Sequence, residues 1–135
     1  KYYIYGSNKY LEKYGMPKNI NDLNKHKLIS FGKGAPSPVY DPDWALKLGI
    51  KDGKKRKPVM KVNSVMGLLL AVESGVGLAA LPEYLVFNSN KIIKVLPSSE
   101  GPITEAHFVY PQSLKNNARI TAFRNFLFSK IGDWK

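Results

Sequence analysis

The residues able to do chemistry in this 135-residue chain are two histidines, ten carboxylates and no cysteine. His26 follows a polar turn and is expected to close it by hydrogen bonds. His107 falls in a strand-like stretch. Neither histidine has a second histidine or a carboxylate at the spacing a zinc site needs. The lack of cysteine removes disulfides and thiolate metal sites. No serine stands in a Gly-x-Ser-x-Gly elbow. Glu12, Asp22 and Glu73 read as helix-surface or cap residues, and Asp41, Asp43 and Asp52 as turn residues, so no acid–base couple emerges. Gly75-Val76-Gly77 follows a helix and precedes a strand. A dinucleotide fingerprint needs the reverse order, so these glycines read as a helix stop and a close packing contact. The expectation is no catalytic residue, no metal and no cofactor.

What remains is binding. The net charge of +11 raises nucleic acid as a partner, yet only three of the 21 basic residues are arginines, Arg56, Arg119 and Arg124. Nucleic-acid sites favour arginine forks beside aromatic platforms, whereas these lysines are spread along the chain. The densest run is Lys51-Asp52-Gly53-Lys54-Lys55-Arg56-Lys57. Its Asp-Gly pair signals a hairpin turn. A basic tip of this kind could touch phosphates, but a solvated loop that blocks edge pairing is the favoured reading.

The elements that would position a site follow from apolar spacing. Tyr2–Tyr5 reads as a strand, and Ser7 or Asn8 caps a helix over Lys9–Tyr14 that stops at Gly15. Asn21-Asp22-Leu23 reads as a capped turn, and Leu28–Phe31 as a short strand running into Gly32-Lys33-Gly34. Ala35–Pro42, with three prolines, reads as a surface loop. Trp44–Leu48 and Val59–Val62 read as the two strands of a hairpin. Asn63-Ser64 caps a helix over Val65–Val72 that is apolar on nearly every face, which predicts burial all round. Val76–Leu81 reads as a strand, Pro82 as the first position of another helix, and Ile92–Leu96 as a strand. Ala106–Tyr110 alternates like a strand. Asn117 caps a last helix whose stripe is Ile120, Phe123, Leu127 and Ile131. Helices and strands interleave, so the class is α/β.

No apolar run reaches the ~20 residues of a bilayer span. The Lys-Tyr-Tyr-Ile-Tyr start has no apolar region and no cleavage site, and it does not begin with methionine. The expectation is an excerpt of a longer, cytoplasmic protein with no membrane partner.

Several stretches together resemble the C-terminal co-inducer domain of LysR-type transcriptional regulators. Tyr3-Ile4-Tyr5-Gly6-Ser7 with Tyr10-Leu11-Glu12-Lys13-Tyr14-Gly15-Met16-Pro17 looks like that family's crossover strand and its following helix. Asp22-Leu23 with His26 and Ile29 is similar to its "D-L-x-x-H-x-x-I". Ala71-Val72-Glu73-Ser74-Gly75-Val76-Gly77-Leu78-Ala79-Ala80-Leu81-Pro82 resembles its "V-x-x-G-x-G-I-A-x-L-P". Val109-Tyr110-Pro111 and Ala122–Leu127 look like the second crossover and the closing helix.

The resemblance implies a fold like type 2 periplasmic binding proteins, with a small effector held in a cleft between two lobes. Residues 1–7 would be the crossover strand, 8–106 the second lobe, and 107–135 the second crossover and final helix of the first lobe. The DNA-binding helix-turn-helix would lie upstream, and the full regulator would be a homo-oligomer. In such lobes helix N-termini and strand ends face the cleft. Candidate effector contacts are therefore Ser7, Asn8, Phe31, Gly32, Lys33, Asn63 and Ser64. Ser7 and Asn63 would serve equally as plain caps, and the two roles are compatible. Free N–H groups at two helix starts favour an anion. An extracytoplasmic solute-binding lobe and a basic nucleic-acid module are the competing readings.

Overall fold

The computed structural model describes residues 1–32, 41–87 and 89–131. Lys33 and most of the proline-bearing segment lie outside the described residues. The chain divides into two compact units, Lys1–Thr104 and Glu105–Lys135.

The first unit is built on a five-stranded sheet. Its strands are β1 (Tyr2–Ser7), β2 (Leu28–Phe31), β3 (Met60–Val62), β4 (Leu78–Pro82) and β5 (Ile92–Val95), in the spatial order β3-β2-β4-β1-β5. β2 runs parallel to both β3 and β4, whereas β1 runs antiparallel to β4 and β5. All six residues of β1 are buried, as a strand enclosed by neighbours and covered on both faces must be.

Alternation along the strands sends residues to two cores. Ile4, Leu28 and Leu78 pack with Tyr10 and Leu11 of α1 (Asn8–Tyr14), with Leu23 of the 3-10 turn Ile20–Lys25, and with Ala45 and Leu46 of α2 (Trp44–Lys47). Tyr3, Tyr5, Ile29 and Ala79 pack on the other face with Leu68, Leu69 and Val72 of α3 (Val65–Glu73). Gly75 ends α3 at φ 78°. Gly77 then lets β4 in beside β2, since a Cβ there would stand 2.4 Å from the Lys27 carbonyl oxygen. Both parts of the close-packing reading of these glycines hold.

In the first unit four expectations need correction. Trp44–Leu48 is not a strand. Asp41 and Asp43 start α2, with the Leu46 and Lys47 amides donating to the Asp43 carbonyl at 2.9 and 3.2 Å. Trp-Ala-Leu-Lys is also a run of adequate helix formers. The hairpin fails with it. Asp52 and Gly53 do turn at positive φ, but β3 pairs in parallel with β2. Arg56 ties the loop inward instead. Its Nε donates to Asn24 Oδ1 at 2.7 Å, its Nη1 to the Leu48 carbonyl at 2.7 Å and its Nη2 to the Ile20 carbonyl at 3.2 Å. Burial lowers the Arg56 pKa from its ordinary value. Lys51, Lys54 and Lys57 stay exposed around it, which matches a solvated loop.

Third, α3 is not buried all round. It buries Leu68, Leu69 and Val72 but leaves Met66 53% and Leu70 57% exposed, because the sheet covers only one side. Fourth, Pro82 closes β4 with ψ 139° and caps α4 (Glu83–Val86) rather than opening it from within.

The second unit centres on α5 (Ala118–Ile131), capped by Asn117 Oδ1, which accepts from the Arg119 amide at 2.9 Å. Phe108 meets Phe123 edge-on with ring centroids 5.7 Å apart. The expected strand Ala106–Tyr110 does not form, with no ladder partner among the described residues. His107 is exposed, with Nε2 3.6 Å from Glu105.

Leu69→Ala is expected to destabilise the first unit by ~2–5 kcal/mol, the usual cost of emptying a buried leucine site. A urea titration measures it. A loss below about 1 kcal/mol would show that α3 does not anchor this core.

Candidate functional site

The parallel strands fix where a ligand would sit. β2 and β3 are neighbours pointing the same way, with Phe31 opposite Val62. After β2 the chain proceeds to α2, on the α1 face of the sheet. After β3 it enters α3 on the opposite face. Adjacent parallel strands whose connections leave to opposite faces create a crevice at their carboxyl ends, the usual place for ligands in open α/β sheets. Phe31 and Gly32 form one lip, and Asn63 and Ser64 the other. The Gly32 amide donates to the Val62 carbonyl at 2.9 Å and holds the two lips together.

The start of α3 is shaped for this position. Ser64 takes an extended conformation, φ −139° and ψ 134°, and its Oγ accepts from the Gly67 amide at 3.3 Å. A Cβ at Gly67 would stand 2.6 Å from Val62 Cγ1, so glycine brings the first turn down onto the strand end. The amides of Val65 and Met66 occupy first-turn positions that have no intrahelical acceptor. Asn63 and Ser64 are both exposed, and Phe31 is half-buried.

Ser7 and Asn8 are elsewhere. β1 is antiparallel to β4, with Tyr2 opposite Pro82 and Tyr5 opposite Ala79. Ser7 therefore lies past the amino end of β4, at the edge away from Phe31 and Ser64. Its Oγ, buried, accepts from the Tyr10 amide at 3.2 Å, and a Cβ on Gly75 at the end of α3 would stand 3.5 Å from it. Asn8 donates from Nδ2 to the Asn90 carbonyl at 3.5 Å and lines a separate recess of about 280 Å³ with Lys9, Glu73 and Lys91. The expected convergence of two helix starts on one cleft is thus overturned. One helix, α3, has its start at the switch edge and its end near Ser7.

The switch edge is also where the chain enters and leaves the first unit. The Tyr2 amide donates to the Pro102 carbonyl at 3.0 Å, and the Gly101 amide to the Tyr2 carbonyl at 2.9 Å. Sequence reasoning did not single out this strap. Its signal is Gly101, where a Cβ would fall 2.4 Å from the Trp44 ring. Glu100 beside it joins Lys1 at 2.7 Å and accepts from the Tyr3 hydroxyl at 3.2 Å. These contacts lower the Glu100 pKa, the hydrogen bond from Lys1 contributing most. Among the described residues no group of three or more histidine, cysteine or carboxylate side chains could hold a metal.

The LysR substrate binding domain model matches residues 1–131. An HTH-type transcriptional regulator of Haemophilus influenzae is 32% identical over 107 residues, covering 76% of this chain and 35% of that protein. The HTH-type regulator YhjC of Escherichia coli is 25% identical over 121 residues, covering 87% of this chain and 40% of its own length. The solved structure of CrgA, a LysR-type regulator from Neisseria meningitidis, superposes with a TM-score of 0.74 at 25% identity over 98% of this chain and 45% of that one. The CrgA regulatory domain alone gives a TM-score of 0.72 at 25% identity, over 96% of this chain and 64% of that one. The chain thus spans less than half the length of the Haemophilus influenzae protein, of YhjC and of the first CrgA structure, each described as a transcriptional regulator. Its α/β sheet is of the type 2 periplasmic-binding-protein kind found in LysR regulatory domains. The chain belongs to the LysR substrate-binding-domain family.

Proposed function

We propose that this chain is the effector-sensing part of a larger LysR-type regulator and that its effector is a small anion. The supporting observation is the start of α3 at the β2–β3 switch edge. A helix start carries a partial positive charge worth ~0.3–1 kcal/mol to an exposed anion and up to ~2 in a partly buried site. Hydrogen bonds from neutral groups to a charged ligand add ~1.5–3 kcal/mol each. The Val65 and Met66 amides and the Asn63 and Ser64 side chains are the donors at hand. Phe31 would form an apolar wall and Gly32 would let the ligand approach the backbone. Lys33, outside the described residues, is next to Gly32 in the sequence. Ser7 and Asn8 are not part of this proposed site.

Residues 1–7 would serve as the crossover strand, 8–106 as the second lobe, and 107–135 as the second crossover and last helix of the first. The opposing wall of the cleft would come from chain preceding Lys1. DNA contact would come from a helix-turn-helix in the same longer protein, acting as a homo-oligomer in the cytoplasm. No helix among the described residues is long and apolar enough to cross a membrane.

Calorimetry on the longer protein, with residues preceding Lys1 restored, tests the site. Small carboxylates are expected to bind, and their neutral amides or esters to bind at least tenfold more weakly, a difference of about 1.4 kcal/mol. Equal binding of acid and amide would sink the anion reading.

Ser64→Ala supplies a second check. It is expected to cost ~0.5–2 kcal/mol of stability through the lost cap. It should also weaken carboxylate binding at a temperature where the variant is fully folded. Unchanged carboxylate affinity in the folded variant would remove Ser64 from the site.

A further inference from the structure

We propose that Tyr10 and His26 form an acid-sensitive latch that holds α1 against the entry to β2. The Lys27 amide donates to Tyr10 Oη at 2.8 Å, and Tyr10 Oη lies 3.3 Å from His26 Nδ1. A phenol oxygen has one good in-plane acceptor position, and Lys27 fills it. The hydroxyl proton then has His26 Nδ1 as its acceptor, which requires a neutral imidazole with its own proton on Nε2. Tyr10 is 1% exposed, so its hydroxyl has no recourse to water. A proton added at Nδ1 sets two donors against each other and leaves the Tyr10 hydroxyl unpaired. An unpaired buried polar group is expensive.

The surroundings favour the neutral ring. Burial lowers the His26 pKa, and Asp22 opposes this by raising it. Asp22 is already engaged, its Oδ2 accepting from the amides of Lys18 and Asn19 at 2.9 and 3.1 Å. From α1, the Tyr14 ring packs on Tyr10 with centroids 4.6 Å apart, and it carries Lys13 at 5.4 Å and Lys27 at 5.3 Å from its centroid. Lys25 closes the 3-10 turn on the other side. Burial likewise raises the Tyr10 pKa, so the phenol keeps its proton across the range in which histidine titrates.

The sign follows by linkage. A histidine whose folded pKa lies below its unfolded value contributes stability that is fully present above about pH 6.5. That stability is lost as pH falls through the depressed folded value. The geometry also names the first bond to loosen, Lys27 N–H to Tyr10 Oη. The latch lies at the β2 entry, on the far side of the sheet from Ser64, so it acts on the fold of the unit and not on an anion directly.

The test uses the 135-residue chain carrying His107→Gln, so that His26 is the one histidine left. Nuclear magnetic resonance follows the His26 ring, the Lys27 amide exchange rate and the urea midpoint from pH 7.5 to 5.5. His26 is expected to titrate below an ordinary histidine, Lys27 exchange to accelerate as it does, and the urea midpoint to fall. Adding His26→Gln, whose amide oxygen still accepts from Tyr10, should flatten the midpoint over that range. Titration of His26 at or above the ordinary value overturns the latch. So does Lys27 exchange that is indifferent to the ring, or an equal acid loss in the glutamine variant. The ring titration and the exchange rate need no variant at His26, so a misfolding glutamine variant leaves the test decisive.

Discussion

Everything in the first unit depends on burying β1 completely. Six consecutive residues, three of them tyrosines, lose water on both faces and pair with strands on both edges. A strand can be treated this way only if each face meets its own apolar layer. Ile4 requires the layer of Tyr10, Leu23 and Leu46, and Tyr3 and Tyr5 require α3. Because β1 comes first in the chain and runs against its neighbours, its beginning lies at the carboxyl edge of the parallel strands. That is why Lys1, the strap at Gly101 and Pro102, and the Phe31–Ser64 crevice share one edge.

The burial has a visible cost. The hydroxyl of Tyr5 is buried with no hydrogen-bond partner among the described residues. Burial pushes the Tyr5 hydroxyl up to a pKa of about 12. Tyr3 escapes the penalty by donating to Glu100, and its ring lies 3.6 Å from Lys94 Nζ, which also joins Glu83 at 2.8 Å. That pairing is partly exposed and worth little by itself as an ion pair. Its use is geometric. It holds the rim of the sheet around β1.

Most elements were legible because apolar spacing is a local property. β1, β2, α1, α3 and α5 follow directly from runs such as Leu28–Phe31 and Val65–Val72. Trp44–Leu48 was misread because alternating Trp44, Leu46 and Leu48 fits period 2, while the deciding contacts belong to Asp41 and Asp43, which precede the segment. Ala106–Tyr110 has strand composition, yet strand character needs a neighbour and composition cannot supply one. The full burial expected of α3 failed for a related reason. Residue type gives the wish for burial, but one sheet has one face to offer. The LysR resemblance was legible from motif order, whereas the site was legible only by half. Ser7-Asn8 and Asn63-Ser64 look alike as caps, and nothing in spacing says that β1 is antiparallel to β4. Strand direction alone separates the two helix starts.

That separation bears on what the unit can bind and where. α3 is a nine-residue helix with a serine cap and no charged residue before Glu73. Its partial positive charge falls at the β2–β3 crevice and its partial negative charge falls beside Ser7. An anion near Ser7 would meet the unfavourable end of α3, which offsets the favourable start of α1. An anion at Ser64 meets the favourable end of α3. The lysines of the Lys51–Lys57 loop add only a diffuse field, screened within about 8 Å at physiological salt. The helix acts at contact distance, where screening is weakest. Net charge therefore says little about the ligand of this unit, and the orientation of one helix, charged only at its last residue, says most.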